Sequence, residues 1–168
     1  MKTGIIIPCY NEEKRLNVQA FVDFIQSKED YHLCFVNDGS KDNTLEVLNA
    51  IKEQEPNKVS VIDMKKNGGK ASAVRAGSRY LFNKNDIEFI GFIDADLSTD
   101  FNDFEDLVST LSKNENLSFV YGSRGGNNDN IERNPLRKFF SMIIKSLVHL
   151  ILGLPIEDTQ CGAKVFKR

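Results

Sequence analysis

A chain of 168 residues is one domain by length and long enough to bury a real core. Its 22 Lys and Arg nearly balance 24 Asp and Glu, giving a formal net charge of −2 without the basic excess of a nucleic-acid binder. Cys9, Cys34 and Cys161 are odd in number, widely spaced and form no C-x-x-C, which fits a reducing, intracellular compartment best.

Gly4–Tyr10 (GIIIPCY) is an apolar run closed by proline, so a first strand and a loop. Met1-Lys2-Thr3 leads into only a few apolar residues before Pro8, a pattern not expected of a signal peptide. Glu12 to Ser27 then sets Leu16, Ala20 and Phe24 at helical spacing. Tyr31–Asp38 is a second strand, followed by Gly39 and by Ser40 as the expected N-cap of a helix carrying Leu45, Leu48 and Ile51. Lys58–Asp63 is a third strand. Gly68-Gly69 opens a helix with Ala71, Val74, Ser78 and Leu81 on one side. Glu88–Ile93 is a fourth strand, Phe101–Lys113 a helix and Leu117–Ser123 a fifth strand. This alternation predicts an α/β fold, a mostly parallel sheet with helices on both faces. Each polar cluster follows a strand, so the clusters gather along one sheet edge, where ligands of open α/β sheets bind.

The fourth strand ends in two carboxylates one residue apart, Asp94 and Asp96. Such a pair is costly unless a cation sits there, and hard oxygen ligands suit Mg²⁺ or Mn²⁺. Taken alone, the pair fits equally a polar loop in which Asp96 or Ser98 caps the next helix. Lys70 stands behind two glycines at a helix start, where backbone N–H groups attract phosphate, although the spacing is not that of a Walker A loop. Tyr10 can lie against a nucleobase, and Asn11 can cap the first helix. Asp38 is an acceptor-only group or a turn residue before Gly39. Arg124 and Arg137 bracket a polar, glycine-rich loop, with Arg133 and Lys138 nearby, and arginine forks match phosphate oxygens. Phe139–Leu154 is apolar around most of its circumference but broken by Lys145 and His149. It reads as an interfacial helix on a membrane or as a covered core helix, not as a span.

In order, Ile5–Glu12 (IIIPCYNE), Val36–Thr44 (VNDGSKDNT), Asn67–Gly77 (NGGKASAVRAG), Asp94–Ser98 (DADLS) and Tyr121–Arg124 (YGSR) resemble the family 2 glycosyltransferases, which have a GT-A fold. The likeness covers essentially the whole chain and is greatest to the polyprenyl-phosphate branch. Asp158–Phe166 (DTQCGAKVF) is similar to the dolichyl-phosphate glucosyltransferases. The resemblance implies one catalytic domain over 1–168, truncated at its C-terminus, since family members continue past this point. It implies inverting, metal-dependent transfer from a nucleotide-sugar, UDP-glucose before GDP-mannose, to a polyprenyl phosphate at the cytoplasmic face of a membrane. The donor site would be Pro8, Tyr10, Asn11, Glu12, Asp38, Lys70 and Asp94, with Asp38 on the nucleobase. Asp96, aided by Asp94, would hold the metal, and Ser98 stands where some relatives carry another polar ligand. Asp94, Asp96 and Lys70 form the catalytic group, and Arg124, Arg137 and Asp158 the acceptor side. One departure is Asn37, where the family usually has a second aspartate. Three alternatives stay open: a transferase acting on a glycan hydroxyl with Asp158 as base, a nucleotidyltransferase, and a non-catalytic nucleotide-binding module.

Overall fold

The structure, a computed structural model, describes residues 2–122 and 162–168. Met1–Tyr121 and Gly162–Arg168 pack as one unit, and Gly122–Cys161 forms a second, which lies outside the described residues from 123 on. Strands β1 (Lys2–Cys9), β2 (Tyr31–Asn37), β3 (Val59–Asp63) and β4 (Ile87–Phe92) alternate with helices α1 (Val18–Ser27), α2 (Thr44–Gln54) and α3 (Lys70–Phe82). Helix α4 (Phe101–Lys113) leads to β5 (Phe119–Tyr121), and β6 (Lys164–Lys167) ends the chain. The sheet order is β3-β2-β1-β4-β6-β5. The first four strands are mutually parallel, and β6 runs antiparallel between β4 and β5.

Helices lie on both faces of β1 and β2, which is why these two strands are almost wholly apolar instead of alternating. Ile5, Ile7 and Cys9 of β1 join a large core with Phe21 and Ile25 of α1, Leu48 and Ile51 of α2, and Phe104 and Leu111 of α4. Ile6 points the other way, into a smaller core with Ala73 and Leu81 of α3. The thin side depends on small residues: a Cβ at Gly77 would come within 2.6 Å of Ile6 Cγ2. On the thick side the Phe24 and Phe101 rings stack at 3.9 Å, joining α1 to α4.

Four expectations change in detail. Helix α1 starts at Val18, not near Glu12, because Asn17 takes the cap, its Oδ1 accepting from Ala20 N at 3.2 Å. Ser40 does not cap α2, which begins at Thr44, because its hydroxyl is used across the loop by Asn11. Helix α3 turns Ala73, Gly77 and Leu81 inward and leaves Ala71 exposed, the small side chains allowing closer approach to the sheet. The fifth strand keeps only Phe119–Tyr121, and β6, too short to carry a pattern of its own, is held by antiparallel pairing on both sides.

Candidate functional site

Because β1, β2, β3 and β4 are parallel, the loops at their carboxyl ends converge on one edge. The β1 and β2 loops are tied into a single piece. Asn11 adopts a left-handed backbone, φ 54°, which Asn tolerates better than most residues. Its N–H donates to Ser40 Oγ at 3.0 Å, and its Oδ1 accepts from Lys41 N at 2.9 Å. Glu12 N donates to Thr44 Oγ1 at 2.8 Å. Asn11 therefore locks the loop and is not the cap of α1. The Thr44 hydroxyl in turn donates to Asp42 and holds that carboxyl below its ordinary range.

Asp38 is 2% exposed, and its Oδ1 accepts from Gly68 N at 2.8 Å. The aspartate thus draws the Gly68-Gly69-Lys70 turn against the ends of β1 and β2. Gly39 must be glycine here: its φ is 64°, and a Cβ would lie 2.5 Å from Asn67 N. Asn37 explains the departure in the second motif. Its Nδ2 donates to Asp63 Oδ1 at 2.7 Å, a bond that a second aspartate could not make.

At the end of β4, Ile93 and Ala95 are buried and hold the backbone down, while Asp94 is half-buried and Asp96 exposed. Neither Asp96 nor Ser98 caps α4; Asp100 does, its Oδ1 accepting from Asp103 N at 2.8 Å. Asp96 Oδ1 accepts from Ser98 N at 3.0 Å across a turn in which Leu97 has φ 53°. Lys70 Nζ donates to Asp94 Oδ1 and lies 5.6 Å from the Phe92 ring centre. A cation therefore already neutralises one carboxylate of the pair.

These groups line a cleft of about 410 Å³, a volume suited to a small-molecule ligand. Pro8, Tyr10, Glu12, Asp38, Lys70, Asp94 and Asp96 all face it. Asn67, which opens the Asn67–Gly77 motif, also lines it, as do Arg15 and Cys9, which were not anticipated as site residues. Arg15 had a sequence signal, its spacing of three from Glu12, whose Oε1 accepts from Arg15 Nη2 at 2.7 Å. Glu12 Oε2 is buried and has no hydrogen-bond partner among the described residues. Burial, followed by the Glu12 charge, pushes the Cys9 thiol upward, so it stays protonated and is no nucleophile. Arg124, Arg137, Asp158 and Phe139–Leu154 lie outside the described residues.

Among the described residues no three His, Cys, Asp or Glu side chains gather as a complete metal cage. The Asp94–Asp96 pair nevertheless fits a Mg²⁺ or Mn²⁺ whose remaining ligands are substrate phosphates and water, because such ions are often held by one or two carboxylates. No helix among the described residues is long and apolar enough to cross a membrane.

Residues 4–168 match the family model described as Glycosyl transferase family 2. Over 98% of its length the chain is 36% identical to dolichyl-phosphate beta-glucosyltransferase ALG5A of Trichomonas vaginalis, of which it covers 53%. It is 32% identical to the dolichyl-phosphate beta-glucosyltransferase of Dictyostelium discoideum, again over 98% of this chain and 54% of the relative. The chain thus spans about half the length of the curated relatives it matches. The solved structure of glucosyl-3-phosphoglycerate synthase from Mycobacterium tuberculosis, in complex with Mn²⁺, UDP and phosphoglyceric acid, superposes with a TM-score of 0.67 at 19% identity. It covers 99% of this chain and 55% of its own, and the likeness shows the fold, an α/β fold of the GT-A type.

Proposed function

Because the chain belongs to glycosyl transferase family 2, we propose that it is the nucleotide-sugar-binding part of an inverting transferase that glycosylates a polyprenyl phosphate. UDP-glucose is the favoured donor and GDP-mannose the next. The observation that carries the reading is the cleft itself: one edge gathers a carboxylate pair, a lysine at a helix start, a buried aspartate and an exposed tyrosine. The dolichyl-phosphate glucosyltransferases among its relatives support the acceptor class and glucose.

In this reading Tyr10 and Asp38 hold the nucleobase, and Glu12 offers Oε2, which has no partner among the described residues, to a ribose hydroxyl. Lys70 and the N–H groups at the start of α3 meet the diphosphate. A divalent cation on Asp96 and Asp94 would neutralise charge on the departing nucleoside diphosphate. The acceptor phosphate is already ionised at neutral pH, so an oxygen attacks the anomeric carbon without a strong general base. The bond to the acceptor oxygen forms as the bond to the donor diphosphate breaks, with inversion. Catalysis is then chiefly positioning and electrostatic stabilisation. Arg124 and Arg137 would hold the acceptor phosphate, and Phe139–Leu154 would meet the cytoplasmic face of the membrane.

The test is product analysis with a labelled nucleotide-sugar and a polyprenyl phosphate, using the full-length protein. The expected products are the lipid-linked sugar and free nucleoside diphosphate. Release of pyrophosphate would indicate a nucleotidyltransferase. Glycosylation of a free sugar with no reaction on polyprenyl phosphate would transfer the acceptor role to a glycan hydroxyl. With the reading correct, Arg124→Ala and Arg137→Ala raise the KM for polyprenyl phosphate and leave donor binding unchanged.

A further inference from the structure

The segment that leads into β6 brings Gly162 against the carboxylate pair. A Cβ built on Gly162 would lie 2.4 Å from Asp94 Oδ2, 3.1 Å from Asp94 Cγ and 3.6 Å from Ser98 Oγ. The first distance is far inside van der Waals contact, so residue 162 and the Asp94 carboxylate compete for one space. Gly162 cannot readily retreat. The next residue, Ala163, is fully buried in the large core. Beyond it, Lys164 and Val165 pair with Phe92 and Gly91 of β4. The Gly91 position is itself closed, since a Cβ there would lie 2.6 Å from Lys164 O. The movable partner is therefore the Asp94 side chain.

We propose that Gly162 is a positioning residue for Asp94: its missing side chain sets the carboxylate rotamer that presents Oδ1 to Lys70 and the cleft. Asp94 is bounded on two sides: Oδ2 occupies the space a Cβ at 162 would take, and Oδ1 accepts from Lys70 Nζ. A methyl at 162 rotates the carboxylate away from the geometry it shares with Asp96. This assigns a physical task to the glycine of the late Asp158–Phe166 motif. The inference rests on the reading of Asp94 and Asp96 as metal ligands.

The experiment is a titration of Mn²⁺ followed by electron paramagnetic resonance, in the presence of UDP, on the parent protein and on Gly162→Ala. Thermal unfolding and UDP binding in EDTA are measured in parallel. The expected result is a loss of about tenfold or more in Mn²⁺ affinity, as when a neighbour that orients a metal ligand is changed. UDP binding in EDTA stays at the parent level. In an Asp94→Ala background the space is open, so Gly162→Ala has no further effect on Mn²⁺ affinity or on the unfolding temperature. Equal Mn²⁺ affinity in parent and Gly162→Ala overturns the assignment. So does an equal loss in both backgrounds, or unfolding in both, because the glycine would then serve the backbone and not Asp94. A parent protein that binds no Mn²⁺ with UDP removes the metal reading and this inference together. A parent that binds it normally, beside an unaffected Gly162→Ala, removes this inference alone.

Discussion

At the start of α3, Lys70 and Asp94 form a half-exposed pair, and nearby Glu12 keeps one buried oxygen without a partner among the described residues. Toward the other end of the same helix, Tyr80 OH meets Ser60 Oγ at 2.7 Å, and Ser60 Oγ meets His32 Nε2 at 2.8 Å. The second group is also polar, also joins strand to helix, and contains a Ser–His contact that invites a catalytic reading. Here, however, Tyr80 OH, Ser60 Oγ and His32 Nε2 are bonded to one another, and His32 is buried. Burial, with the charges of Lys84 and Lys2, pulls the His32 pKa down to about 4. A buried group held neutral and hydrogen-bonded to its neighbours stabilises strand packing. Polar groups left half-exposed or unpartnered at a concave edge are the ones that await a ligand.

The sharpest separation comes from Asp96→Asn. It should abolish the Mn²⁺-dependent part of UDP binding by calorimetry, while the unfolding temperature without ligand stays near the parent value. Retained Mn²⁺ dependence would move the metal elsewhere. The acid limb of stability belongs to the opposite end. His32 stays neutral in the fold to about pH 4 but titrates near 6.5 when unfolded, so the unfolded chain binds more protons in between. Stability from this group is complete above about pH 6.5 and is lost as pH falls toward 4, by up to about 3 kcal/mol. Denaturant titrations across that range should show the loss, and His32→Gln should flatten it without touching UDP binding.

Asp38 sits between the two behaviours, since it is buried and bonded yet faces the cleft. Asp38→Asn preserves an acceptor for Gly68 N but removes the carboxylate. If Asp38 reads the nucleobase, UDP and uridine should both weaken by about 1.5–3 kcal/mol. Unchanged uridine affinity would leave Asp38 only its loop-anchoring task. The smallest effect is expected at Asn37→Asp, which sets two carboxylates against each other where Asn37 Nδ2 now donates to Asp63 at 2.7 Å. A loss of about 1–2 kcal/mol at neutral pH should be recovered by adding Asp63→Asn. No recovery would mean that the second aspartate is disfavoured here for another reason.

Much of this was legible in the sequence because parallel strands place their polar tips together. Once Gly4–Tyr10, Tyr31–Asp38 and Glu88–Ile93 read as strands, the convergence of Tyr10, Asp38 and Asp94–Asp96 followed from chain direction alone. Side-chain bookkeeping was not legible. Ser40 and Asn11 both look like helix caps, yet they bond to loops about thirty residues away, and only the fold brings those partners near. Residues 164–167 are too short a run to show a strand period, so β6 and the approach of Gly162 to Asp94 depend on pairing with β4. Arg15 was overlooked because a single exposed arginine beside a glutamate reads as an ordinary surface pair.

The contrast between the two ends of α3 reduces to where a nucleotide binds. Thermal unfolding with a panel of nucleoside diphosphates, each with Mn²⁺ and with EDTA, measures this most directly, because a ligand stabilises the folded state according to its affinity and concentration. At a hundredfold excess over its dissociation constant, UDP with Mn²⁺ should raise the midpoint by roughly 5–10 °C, less in EDTA, and not at all after Asp96→Asn. His32→Gln should keep the full shift. No shift with any nucleoside diphosphate, or an equal shift in Mn²⁺, in EDTA and in Asp96→Asn, would contradict a metal-assisted donor site at the carboxyl edge of the sheet.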